Sequence, residues 1–155
     1  MFSVAKEPAD QPEIQRLLDL SDAVAASLYP GAFRQPLNCA TLSRPDIALY
    51  VARNTADIEG SRALGCAALL DLSDGTAELK RMIVDPEYAN RGIGSGLIHA
   101  ALEGARQRGM RSVLLEVGIR NIKARRLYER AGFRDRGPFA SYLDTPIATF
   151  MEISL

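Results

Sequence analysis

Residues 91–96, Arg-Gly-Ile-Gly-Ser-Gly, place three glycines where a run of helix formers begins. Each glycine costs a helix roughly 0.5–1 kcal/mol relative to alanine, so close approach to the main chain must offset that loss. Bare N–H groups at a helix N-terminus, backed by the helix dipole, make a nest for an anion, and Arg91 adds a charge to it. Two phosphate-binding patterns fail on spacing. A Walker loop needs a Lys after its last glycine, and none follows Gly96. A dinucleotide fingerprint needs Gly-x-Gly-x-x-Gly directly after a strand, whereas the last spacing here is wrong and seven residues separate Val84 from Gly92. A third pattern, Gln/Arg-x-x-Gly-x-Gly/Ala, is met by Arg91, Gly94 and Gly96. On this reading Gly92, Ile93, Gly94, Ser95 and Gly96 lay bare backbone against a pyrophosphate. The plain alternative is a glycine-rich surface loop.

Other side chains of chemical interest lie nearby in the chain. Glu116 interrupts the apolar run Val-Leu-Leu-Glu-Val, where burying a carboxylate is costly without a partner. Its plain role would be to anchor acceptor or backbone amides. Tyr128 follows Asn121 by seven residues, two helical turns, so both point to one side. Tyr128 could equally serve as core, and Asn121 as a helix N-cap. His99, the only histidine, falls on the solvent side of its helix. Cys39 and Cys66 are far apart, show no metal-ligand spacing and have no base nearby in sequence. Both are expected to be reduced and dispensable, and no metal site is expected.

The elements that position these residues follow from periodicity. A short strand opens the chain, and residues 12–30 carry Ile14, Leu17, Leu18, Val24 and Leu28 at near-helical spacing before Pro30-Gly31 stops them. A short helix is expected around residues 37–42. Residues 47–53, 62–72 and 76–84 read as three consecutive antiparallel strands with turns at 54–61 and 73–75. After the glycines, Ile93, Leu97, Ile98, Ala101, Leu102 and Ala105 share one helical face, and Gly109 ends it. Residues 112–117 read as a strand covered on both faces. Asn121 caps a second helix, with Ala124, Leu127, Tyr128 and Ala131 on one face. Closing strands are expected near Phe133 and over 147–155. The sum is a mixed α/β sheet in one layered stack.

Composition bounds the partners. The 155 residues suit one domain spanning 1–155, and 47% hydrophobic residues suffice for a full core. Lys plus Arg and Asp plus Glu are 19 each, so nothing global points to nucleic acid or an acidic membrane surface. No stretch approaches the roughly 18 apolar residues of a spanning helix, and the start lacks the pattern of a secretory signal. A cytoplasmic protein is expected.

Residues 78–102 resemble the acetyl-coenzyme A motif of the Gcn5-related N-acetyltransferases, including the strand before the loop. Residues 121–133, with Asn121, the Leu127-Tyr128 pair and Gly132-Phe133, resemble that family's following helix. The resemblance covers nearly the whole chain. It implies a GNAT-like, largely antiparallel sheet of six to seven strands with about four helices. It also implies acetyl-CoA as cosubstrate, without metal, and a small-molecule or peptide amine as acceptor, with a homodimer left open. It makes Tyr128 the acid that protonates the departing thiolate and Asn121 a contact to the pantetheine arm. Met82, Ile83 and Val84, at a bulged strand end, would pair their backbone with pantetheine. Glu78, thirteen residues before Arg91, occupies the position where histone-acetylating members carry their base, with Glu116 as rival. Phe139 and Tyr142 would border the acceptor pocket or anchor their loop. The implied reaction is direct amine attack on the thioester in a ternary complex. A non-catalytic acyl-CoA sensor or interaction module on the same fold is the alternative.

Overall fold

The computed structural model describes residues 1–31, 38–57 and 62–155. Its elements are β1 (Phe2–Lys6), α1 (Pro12–Leu28), α2 (Cys39–Leu42), β2 (Ile47–Asn54), β3 (Ala63–Asp71), β4 (Thr76–Val84), α3 (Ile93–Gln107), β5 (Ser112–Gly118), α4 (Ile122–Ala131), β6 (Arg134–Arg136) and β7 (Ala148–Ser154). The strands form one seven-stranded sheet in the order β1-β2-β3-β4-β5-β7-β6. Every pairing is antiparallel except β4 with β5. The α/β class, the seven strands and the four helices agree with the sequence reading. The short helix expected from residue 37 is seen as α2. Residue 37 itself, and the second half of the turn at 54–61, lie outside the described residues.

Each face of the sheet buries its own core. Beneath α3, the six apolar residues that share its face are all buried, packed on Ala77 and Leu79 of β4 and on Val113 and Leu115 of β5. Beneath α1, Ile14, Leu17 and Leu18 meet Leu49, Val51 and Cys66. A smaller aromatic cluster on the α1 side joins Leu114, Phe139 and Phe150.

Val24 departs from its expected burial. It shares a face with Leu17, yet it is exposed. The second half of α1 extends past the packed region and is tied down at two points. Asp22 meets the Arg81 guanidinium at 2.8 Å, and the Tyr29 hydroxyl accepts from the Arg120 N–H at 2.7 Å. These two tethers tie α1 and the residue after it to β4 and to the β5–α4 loop. Among the described residues no helix is long and apolar enough to cross a membrane.

Candidate active site

β4 and β5 pair in parallel only from Thr76 opposite Ser112 to Leu79 opposite Leu115. β4 runs on to Val84 and β5 to Gly118, so the strands part. A bulge marks the departure. Ala68 of β3 faces Lys80 and Cys66 faces Ile83, so two residues of β4, Arg81 and Met82, oppose one of β3. Arg81 takes a left-handed φ of 51° to make this turn. Beyond the bulge, Ile83 and Val84 stay paired with β3, while their β5 side has no strand partner among the described residues. That open edge offers main-chain donors and acceptors to an extended ligand.

The open edge leads toward the start of α3. Gly92 is the N-cap, with φ 80° and no side-chain cap, and the Gly96 N–H bonds the Gly92 carbonyl at 3.0 Å. The N–H groups of Ile93, Gly94 and Ser95 precede that first bond and point out of the helix, as first-turn donors do. Arg91 is exposed, its guanidinium 5.2 Å from the centre of the Tyr88 ring. The loop is held from below by Asp85, which accepts from Arg16 at 2.8 Å, Arg62 at 3.0 Å and the Glu87 N–H at 3.1 Å. Burial pushes the Asp85 carboxyl up, but these donors outweigh it and hold the group below the usual carboxylate range.

The glycines are also close to neighbouring elements. A Cβ on Gly94 would stand 2.7 Å from Leu127 of α4, and one on Gly96 would stand 2.7 Å from the Phe2 ring of β1. At both positions a side chain would have to push a neighbouring side chain aside. Only at Gly92 is the surrounding space empty, and there the positive φ requires glycine. A bulky residue at Gly94 would force the Leu127 side chain to shift, beside any phosphate contact.

Tyr128 is the one buried residue of α4, its ring edge-on to Phe133 with centroids 5.7 Å apart. Among the described residues nothing hydrogen-bonds its hydroxyl. Burial, reinforced by the nearby charge of Glu116, pushes this phenol above the ordinary tyrosine range. Asn121 caps α4, its side chain accepting from the Ala124 N–H at 3.3 Å. Glu116 is exposed, which corrects the expectation of a buried carboxylate. It lies past the last β4–β5 pair, where departure of β4 uncovers it.

Glu78 holds the buried position instead, at 3% exposure. It points to the face opposite Ala77 and Leu79, away from the Tyr128 core. The Tyr142 hydroxyl donates to Glu78 Oε2 at 2.5 Å, and Lys80 Nζ stands 3.8 Å from the same oxygen. Burial raises the Glu78 pKa, and the Tyr142 hydrogen bond and the Lys80 charge offset part of that rise. Tyr142 packs against Phe139 and Phe150 at ring distances of 5.1 and 5.6 Å. The charge of Glu116, just past the last β4–β5 pair, raises the pKa of both Tyr128 and Tyr142.

Local sequence carries no sign of the Tyr142–Glu78 contact, because its partners are 64 residues apart. The Tyr29–Arg120 and Asp22–Arg81 tethers are equally non-local.

The cysteines lie on the α1 side, Cys66 facing Ile83 with its thiol 4.0 Å from the Arg81 carbonyl. Cys66 is buried under α1 and its thiol is pushed up to about 12 by burial. Cys39 is half-buried and donates weakly to the Gln11 carbonyl. Replacing both with alanine is expected to leave turnover unchanged, with a stability loss of about 1 kcal/mol from the vacated Cys66 site. Mass-spectrometric acetyl transfer checks this, and lost turnover in a folded variant would reveal a nucleophile.

The sequence model described as the acetyltransferase (GNAT) family matches residues 15–133. The IAA acetyltransferase of Azospirillum brasilense is 34% identical over 151 residues, covering 97% of this chain and 95% of that one. Among solved structures, a Klebsiella pneumoniae protein assigned as an acyl-CoA N-acyltransferase aligns with TM-score 0.84 at 27% identity, covering 100% of this chain and 98% of that one. A Bacillus subtilis acetyltransferase in complex with CoA aligns with TM-score 0.70 at 17% identity, covering 100% and 99%, and shares the fold.

Proposed function

The chain belongs to the acetyltransferase (GNAT) family of acyl-CoA-dependent N-acetyltransferases, and from that premise we propose that it transfers the acetyl group of acetyl-CoA to a primary amine on a small-molecule or peptide acceptor, by direct attack in a ternary complex. The observation that carries the reading is the parting of β4 and β5 beyond Leu79 and Leu115, with Tyr128 on one face and Glu78 on the other. Acetyl-CoA supplies the activated thioester. The N–H groups of residues 93–95 hold its pyrophosphate with Arg91, and the open edge at Met82, Ile83 and Val84 pairs with its pantetheine arm. One of these N–H groups polarises the thioester carbonyl. Asn121 contributes at the other wall of the opening.

An amine of pKa about 10.4 arrives protonated at neutral pH and must lose a proton before it can attack. Glu78 receives that proton. Its raised pKa, caused first by burial, brings the carboxylate nearer to working pH. Tyr128 faces the departing sulfur and carries the proton that the thiolate needs. Glu116, exposed at the mouth, favours a cationic acceptor by its charge.

Labelled acetyl-CoA incubated with an aromatic monoamine, a polyamine, and peptides bearing a free N-terminus or a lysine tests the activity. No transfer to any, with CoA still raising the melting temperature, would favour the non-catalytic acyl-CoA sensor. No stabilisation by CoA would sink the reading altogether. Arg91→Ala is expected to weaken CoA binding about tenfold in calorimetry without lowering the melting temperature. The loss should shrink at high salt. Unchanged affinity would move the pyrophosphate away from the α3 terminus.

A further inference from the structure

Glu78 is too deeply buried for an ammonium in the opening to reach it directly. The partly exposed group bonded to it is Tyr142, whose hydroxyl donates to Glu78 Oε2 at 2.5 Å. Its ring is wedged against Phe139 and Phe150, and its N–H bonds the Phe139 carbonyl at 3.1 Å, so the phenol has little freedom to turn away. Lys80 Nζ stands 3.8 Å from the same oxygen and, as an ammonium, cannot accept a proton.

We propose that Tyr142 is a further catalytic residue: its phenolic oxygen touches the acceptor nitrogen and passes the proton on to Glu78. The proposal rests on the reading of Glu78 as the base. The step conserves every proton. One N–H bond of the acceptor ammonium breaks as its proton moves to the Tyr142 oxygen, and the phenolic proton moves to Glu78 Oε2. The products are a neutral amine, a neutral phenol and a neutral carboxylic acid. After acetyl transfer the carboxylic proton returns through Tyr142 to water. Burial and the Glu78 contact raise the Tyr142 phenol, so it rests neutral between turnovers, as a relay requires. The charged and titratable groups that bear on the pair are Lys80 and Arg81 from β4 and Glu116 from β5, with Asp22 of α1 on Arg81.

Tyr142→Phe, Glu78→Gln and the double variant, assayed with the fastest amine of the panel above, test the relay. Tyr142→Phe should lower kcat about 10²-fold and leave CoA affinity unchanged. Its acidic limb should move to higher pH, because Glu78 loses a hydrogen bond that stabilises its charge. The double variant should be no slower than the slower single one, as expected when two groups perform one step. Full activity in Tyr142→Phe with little in Glu78→Gln would overturn the relay and leave Glu78 as the base. Full activity in both would remove both readings. Losses that multiply in the double variant would assign the residues to separate steps and overturn the relay. Should Tyr142→Phe fail to fold, proton NMR of the unaltered protein decides. A downfield Tyr142 hydroxyl resonance that vanishes in Glu78→Gln supports the pair, and its absence from the unaltered protein overturns it.

Discussion

Tyr128→Phe is expected to lower kcat about 10²-fold or more while the CoA dissociation constant and the melting temperature stay near those of the unaltered protein. The change removes one oxygen from a ring whose packing against Phe133 is otherwise untouched. That oxygen has no hydrogen-bond partner among the described residues, so its loss strands no protein donor or acceptor. Stability should therefore barely move. The catalytic effect is larger because the buried phenol is held well above the ordinary tyrosine range and keeps its proton at any working pH. A raised pKa also makes full transfer to a thiolate, with a pKa near 8.5 for a free thiol, uphill. Tyr128 then acts first as a hydrogen-bond donor to charge growing on sulfur, and as the thiol departs with the phenolic proton the phenol is reprotonated by the N–H proton that the tetrahedral adduct loses. That work is done in the transition state, which is why kcat should fall without a change in ground-state binding. Turnover with labelled acetyl-CoA, beside calorimetry with CoA, separates the two. A variant with unchanged kcat would assign the phenol to the core.

The architecture was legible because it rests on local periodicity. Residues 76–84 form a strand with the bounds expected of them, and the six apolar residues expected on the inner face of α3 are all buried. Asn121 as cap and Gly132 as stop also follow from local backbone chemistry. What could not be read depends on distant partners. Gly94 and Gly96 are expected to open the backbone to phosphate, and the side chains that crowd a Cβ there, Leu127 and Phe2, come from distant elements. Glu116 sits in an apolar run that suggests burial, but β4 has turned away by that register. Glu78 was legible as a candidate from its spacing to Arg91. Its buried contact with Tyr142 arises only when the chain end returns over the sheet.

Phe133→Ala should be the most damaging single change to stability that also reaches the chemistry. Phe133 is fully buried, and losing such a side chain typically costs about 3–5 kcal/mol. Against a usual total of about 5–15 kcal/mol, the variant should fold but melt much earlier. Its position explains a second effect. The Phe133 N–H bonds the Tyr128 carbonyl and the Gly132 N–H bonds that of Glu129, closing α4 with Gly132 at φ 108°. In this closure the residue after the left-handed glycine packs on the residue whose carbonyl it caps, here Tyr128. Phe133 therefore forms one wall of the slot that orients the phenol, and an alanine would let the ring rock toward the vacated space. Below the melting transition, kcat should fall in Phe133→Ala, while Phe133→Leu, which refills most of the volume, should recover most of both losses. Denaturant midpoints and turnover on the same samples check this. A large stability loss with kcat intact would show that α4 alone orients Tyr128, and a stability loss under about 1 kcal/mol would contradict the burial on which the argument stands.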